Sequence, residues 1–130
     1  MTAPGETDLA KMLATLAVQR RPGVYTYVAV EVPTPGLLAA ADAMVVEGQL
    51  TTLVVPVEAA KRAGLPVTVE MAWLTLTVQS SLEAVGLTAA FADALGKRNI
   101  ACNVLAGYHH DHILVPVDQV DDAIDALTAR

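Results

Sequence analysis

The sequence predicts a layered α+β fold of the ferredoxin-like βαββαβ type, built twice over. Three observations carry this. The chain is 130 residues long, the size of one ordinary domain or of two very small ones sharing a core. It is 54% hydrophobic but only 4% aromatic, and Ala and Val supply 41 of the apolar positions, so its core is made of small and β-branched side chains. Finally, two stretches recur with their surroundings. Pro35-Gly36-Leu37-x-Ala39-Ala40 precedes Val85-Gly86-Leu87-x-Ala89-Ala90 by about fifty residues, and Val54-Val55-Pro56-Val57-Glu58 precedes Leu114-Val115-Pro116-Val117-Asp118 by about sixty.

Taken in order, Thr7 precedes Leu9, Met12, Leu13 and Leu16 at helical spacing, which predicts an extra N-terminal helix to about Val18, stopped by Arg20-Arg21-Pro22-Gly23. Val24 to Val32 is β-branched and aromatic and reads as a strand ended by Pro33. LLAAADAM after Pro35-Gly36 reads as a helix, Leu53 to Val57 as a buried strand, and Glu58 to Ala63 as a short helix closed by Gly64. A second strand set begins at Val69 to Gln79. Ser80-x-x-Glu83 has capping-box spacing and opens a helix with the stripe Leu82, Val85, Ala89 and Ala92, flanked by Leu87, Phe91 and Leu95, with Gly96 at the left-handed cap. Ile100 to Ala106 and His112 to Val117 are too close for a crossover and form an antiparallel hairpin. Asp118 then caps a last helix with Val120, Ala123, Ile124 and Leu127 inward and Asp121, Asp122 and Asp125 toward water.

The change of offset between the recurring words implies that the first copy has lost about ten residues, assigned to most of the strand matching Ile100 to Ala106. The domains are therefore residues 1–22, an N-terminal helix and linker; 23–66, a shortened repeat; and 67–130, a full repeat.

Charge narrows the function. The net charge is −6, with −1 on residues 1–66 and −5 on the remainder. A nucleic-acid partner needs a basic surface and is not expected. Apolar runs are interrupted by Asp42, Glu47, Glu58, Glu70 and Glu83 before a membrane span accumulates. A mean hydropathy of +0.47 therefore means burial in protein, part of it against a second copy, so a homo-oligomer is expected. The single Cys102 and the lack of a basic-then-apolar leader point to the cytoplasm.

The words VPTPGLLAAADAM at Val32 to Met44 and IACNVLAGYHHDHILVPVDQVDDAIDAL at Ile100 to Leu127 resemble the ACT domains, small regulatory modules that bind amino acids. With DLAKML near the start and GVYTYVAV, the chain is similar along its length to the small bacterial tandem ACT-like proteins of unknown function. The resemblance implies two ACT-like repeats and an amino acid or similar small molecule as ligand.

Chemistry-bearing residues are few. His109-His110-Asp111-His112 holds every histidine, and His110-x-His112 has the spacing of a two-histidine metal arm with no evident third ligand; the same residues suit a solvated hairpin tip. Cys102, alternating with Ile100 and Val104, reads as core. A helix N-terminus offers unpaired N–H groups, and glycine lets a carboxylate approach them. The candidate ligand-binding residues are accordingly Gly36, Leu37, Ser81, Val85, Gly86, Leu87 and Asn103. For Gly86, close strand-helix packing is the competing explanation. No catalytic residue, metal or cofactor is assigned. The expected function is an amino-acid-binding regulatory or sensory module without catalysis; the alternatives are a metal-dependent enzyme using His110 and His112, or a partner-binding module with no ligand.

Overall fold

The computed structural model describes residues 15–77 and 84–128. The predicted N-terminal helix lies outside the described residues except for its end, where Thr15 is helical but the chain is already a strand from Ala17, short of the expected stop near Val18. Strand β1 runs from Ala17 to Val30, through the Arg-Arg-Pro-Gly stretch read as a stop. Pro22 and Gly23 lie within the strand instead of ending it. Gly23 sits at φ +102°, where a side chain is strained, and the Pro22 carbonyl, which needs no N–H to accept, takes the Tyr25 hydroxyl at 3.0 Å.

The chain then forms α1 (Pro35–Ala40), β2 (Ala43–Glu47), β3 (Leu50–Pro56), α2 (Val57–Arg62), β4 (Met71–Thr77), α3 (Ala84–Gly96), β5 (Asn103–Ala106), β6 (Asp111–Pro116), a 3₁₀ turn (Val117–Gln119) and α4 (Val120–Thr128). This is the ferredoxin-like α+β plan, laid out in two compact units, residues 22–72 and residues 1–21 with 73–130.

In the 22–72 unit the strand order is β2-β3-β1. All pairs are antiparallel, with Tyr25 opposite Pro56, Val30 opposite Thr51, and Ala43 opposite Val54. The core is Val28, Leu37, Leu53, Val55, Ala59 and Ala60, and each large aliphatic side chain buried there contributes about 1.5–3 kcal/mol. β2 is the main departure from expectation. The helix predicted through Met44 stops at Ala40, and Ala43 to Glu47 pair with β3 through a two-residue turn. The β-branched pair Val45-Val46 gains more from cross-strand contact than from helix. The first copy therefore keeps its hairpin strand. Its missing length lies in the helix, six residues in α1 against thirteen in α3, and in the connection that follows.

In the other unit the order is β1-β4-β6-β5, and β5 pairs with β6 as predicted, Asn103 opposite Leu114 and Ala106 opposite Asp111. α3 packs on α4. The buried side of α3 is Leu87, Ala90, Phe91 and Leu95, whereas Ala89 and Ala92 are exposed. The larger side chains, read as flanks, won the core because they remove more area from water. On α4, Val120, Ala123, Ala126 and Leu127 are buried and Ile124 is half-buried. Asp118 does not cap α4; it sits in the 3₁₀ turn that precedes it. Arg98 donates to Asp122 and Asp125 at 2.7 Å each, which holds the α3 terminus to α4 and raises the guanidinium pKa through those two hydrogen bonds.

The cap after α3 also differs from expectation. Gly96 ends the helix in helical conformation, and Asn99 takes the left-handed position at φ 58°, with Asn99 N–H donating to Gly96 O at 3.0 Å and Ile100 N–H to Leu95 O at 3.1 Å. Gly64 does the same for α2 at φ +72°, as predicted. The capping box Ser80 to Glu83 lies outside the described residues. No helix among the described residues is long and apolar enough to cross a membrane.

Candidate functional site

Of the predicted ligand residues, Gly36 and Leu37 stand together in the 22–72 unit at the start of α1. Thr34 caps that helix, its hydroxyl accepting from Leu37 N–H at 3.2 Å while its carbonyl accepts from Leu38 N–H at 3.0 Å. Pro35 has no N–H. The first-turn donor left for a ligand is therefore that of Gly36. It borders a cavity of about 210 Å³ lined by Thr34, Gly36, Leu37, Ala59, Arg62 and Ala63. A Cβ built on Gly36 meets nothing within 4 Å, so this glycine is spare room at the cavity wall and packing does not require it.

No local pattern in the sequence marks Arg62. It closes α2, and the small residues Ala59 and Ala63 flank it along that helix. A basic residue in the last turn, one residue after Lys61, is explained by the helix dipole alone, so only the folded geometry places it beside Gly36. The arrangement offers one backbone donor and one guanidinium, which is the equipment for a carboxylate. A larger cavity, about 300 Å³ between Tyr27, Ala29, Thr52, Leu65 and Pro66, is lined by no charged residue.

The remaining candidates belong to the other unit. Gly86 and Leu87 lie on α3, Gly86 half-buried and Leu87 in the core, and Asn103 is exposed on β5. Ser81 and the Val85 side chain lie outside the described residues.

The histidines are arranged as their alternation predicts and are engaged in a way it does not. His112 and His110 both reach toward β4, where Trp73, Thr75 and Thr77 share one face. The indole Nε1–H of Trp73 donates to His112 Nδ1 at 3.1 Å, the Thr75 hydroxyl lies 3.0 Å from the same nitrogen, and Thr77 is 3.5 Å from His110 Nδ1. Arg21 stacks over the Trp73 ring at 4.1 Å. His109 turns away, edge-on to the exposed Tyr108 with centroids 4.8 Å apart. Burial, then Arg21 and His110, lower the His112 pKa against the opposite pull of Asp111. No group of three or more His, Cys, Asp or Glu that could hold a metal ion occurs among the described residues. Cys102 is half-buried just before β5, not in the core, and burial pushes its thiol pKa up.

Two ACT-domain family models match the chain, one over residues 4–72 and one over residues 68–129. The chain belongs to the ACT-domain family. Among solved structures, a match over 95% of both chains, with 37% identity and a TM-score of 0.84, is a Vibrio cholerae protein described as of unknown function and a possible transport protein. A protein from Agrobacterium tumefaciens matches at 16% identity and TM-score 0.63 over 86% of each chain. The ligand-free regulatory subunit of aspartate kinase from Thermus thermophilus matches at 12% identity and TM-score 0.56, over 86% of this chain and 92% of that one. The last two likenesses are of fold. No functionally curated protein matches the chain. ACT domains are small-molecule-binding regulatory modules, and their double match here agrees with the duplicated strand-helix words.

Proposed function

We propose that this ACT-domain protein is an amino-acid-binding regulatory module without catalysis of its own, working in the cytoplasm as a homo-oligomer of two-repeat chains. The observation that carries the ligand is the cavity that both Gly36 and Arg62 line. A free amino acid presents a carboxylate that the two can share, and Leu37, Ala59 and Ala63 supply an apolar wall for its side chain. The Gly86, Leu87 and Asn103 positions in the second repeat are the next place for a ligand. Oligomerisation is supported by β2, an edge strand whose Met44, Val45 and Val46 are all exposed. An edge carrying apolar side chains on both faces is the kind that pairs with another chain.

The test is a thermal-shift screen of the amino acids, followed by calorimetry on wild type and Gly36→Val. Because nothing lies within 4 Å of a Gly36 Cβ, the variant is expected to fold, with its side chain added at the cavity wall. Affinity for the best amino acid should fall more than about ten-fold, some 1.4 kcal/mol. Unchanged affinity moves the site to the second repeat. A ligand at about 100 times its Kd adds about 2.7 kcal/mol, so an absence of any stabilising amino acid at millimolar concentration sinks the reading.

A further inference from the structure

The indole N–H of Trp73 can only donate, so His112 Nδ1, 3.1 Å away, must offer a lone pair. The Thr75 hydroxyl, 3.0 Å from that nitrogen, then also donates to it. Together they fix the ring as the neutral tautomer with its proton on Nε2. That far edge rests against the hairpin turn, where a Cβ on Gly107 would come within 3.0 Å of Nε2. His112 thus touches β4 on one side and the 107–110 turn on the other.

We propose that His112 is a proton-operated clasp: neutral, it ties the β5–β6 hairpin turn to Trp73 and Thr75 on β4, and uptake of a solvent proton at Nδ1 breaks its tie to Trp73. The added proton turns the acceptor into a donor that faces the donor-only indole N–H of Trp73, while the Thr75 hydroxyl can reverse and accept it. It also sets a second cation beside an indole that already carries Arg21, with the imidazole and indole centroids 5.4 Å apart. The charged or titratable groups facing the ring are Arg21 from β1, His110 in the turn and Asp111 beside it on β6. Trp73 and Thr75 on β4, and Leu105 paired opposite on β5, do not titrate at these pH values. Burial, Arg21 and His110 oppose the charge and outweigh Asp111, so the folded pKa lies below the unfolded one. The sign follows. The stability given by the clasp is fully present above the unfolded value of about 6.5 and is lost as pH falls through the folded value.

Trp73 is the chain's single tryptophan, and a neighbouring imidazolium quenches indole emission. The full chain is titrated from about pH 8 to about pH 4.5, following tryptophan emission and far-UV circular dichroism. A one-proton fall in emission with its midpoint below about 6.5, with the dichroism unchanged, is expected. His110→Asn should keep it. His112→Asn, whose Oδ1 can accept from Trp73 without titrating, should abolish it. A flat wild-type curve, a transition that survives in His112→Asn, or one that coincides with global loss of dichroism overturns the proposal. Should His112→Asn not fold, ring ¹⁵N shifts of the wild type at neutral pH decide: Nε2–H supports the clasp and Nδ1–H refutes it.

Discussion

Replacing Gly107 by alanine isolates a contact that only the folded hairpin reveals. The new Cβ would lie 2.8 Å from the His110 carbonyl oxygen, 3.0 Å from His112 Nε2 and 3.3 Å from His112 Cδ2. Comfortable carbon contacts begin near about 3.5 Å, so the nearest atom must retreat by roughly 0.7 Å. That atom is backbone, and it already accepts the Gly107 N–H at 2.9 Å. Retreat therefore stretches a hydrogen bond with a net value of about 0.5–1.5 kcal/mol, and the imidazole must move as well. Overpacking of this kind costs about 1–3 kcal/mol, and about 2 kcal/mol is the expected loss. For a chain of this size that lowers Tm by about 6–10 °C. Urea and thermal unfolding followed by circular dichroism provide the assay, with an unchanged denaturant slope showing that the native state was altered locally. Gly36→Ala is the control, since its Cβ meets nothing within 4 Å, and it should stay within about 0.5 kcal/mol of wild type or gain slightly. If Gly107→Ala is as stable as Gly36→Ala, the turn relaxes freely and does not hold the His112 ring in place.

Two further substitutions probe single positions. Thr26 is fully buried on β1, opposite Val55, and its hydroxyl has no hydrogen-bond partner; Thr26→Val should raise stability by about 1 kcal/mol in urea titrations, and a loss instead would reveal a partner for the oxygen. Asn99 holds its left-handed φ of 58° at the end of α3; thermal melts should show Asn99→Gly equal to wild type or better and Asn99→Val worse by about 1–2 kcal/mol, with equal melts for the two refuting the backbone explanation.

Where periodicity and turn chemistry acted together, the sequence was readable. Val24 to Val30, the Leu53 to Pro56 run, the short helix closed by Gly64 and the hairpin around His109 all stand near their expected places. The failures share a cause, which is that a local signal was outvoted by pairing with a distant strand. Pro22-Gly23 is a stop in isolation and part of a continuous strand once its neighbours pair. Ala43-Met44 is helical by propensity and extended by its pairing with Leu53 and Val54. At the candidate site, Gly36 was legible because a Pro-Gly helix opening is a local pattern. Arg62 was not, since its nearness to Gly36 is a product of the packing of α1 on α2. Likewise the alternation of His110 and His112 showed which face they share, but Trp73 lies 39 residues from His112, and no spacing rule joins them.

The difference in length between α1 and α3 also bears on how two copies of one unit can drift apart. Six residues against thirteen is a difference of about two helical turns at roughly 3.6 residues each. Removing whole turns leaves the last turn facing nearly the same side, and the connection, residues 41–42 after α1 against residues 97–102 after α3, takes up the rest. A change of one residue inside a strand would instead rotate its core face out to solvent. The hairpins β2–β3 and β5–β6 keep unbroken antiparallel registers over five and four paired positions. A gain or loss at the helix end thus costs a repeat none of its strand pairing, and it is there that the lineage of a duplicated domain can change length while both copies go on folding.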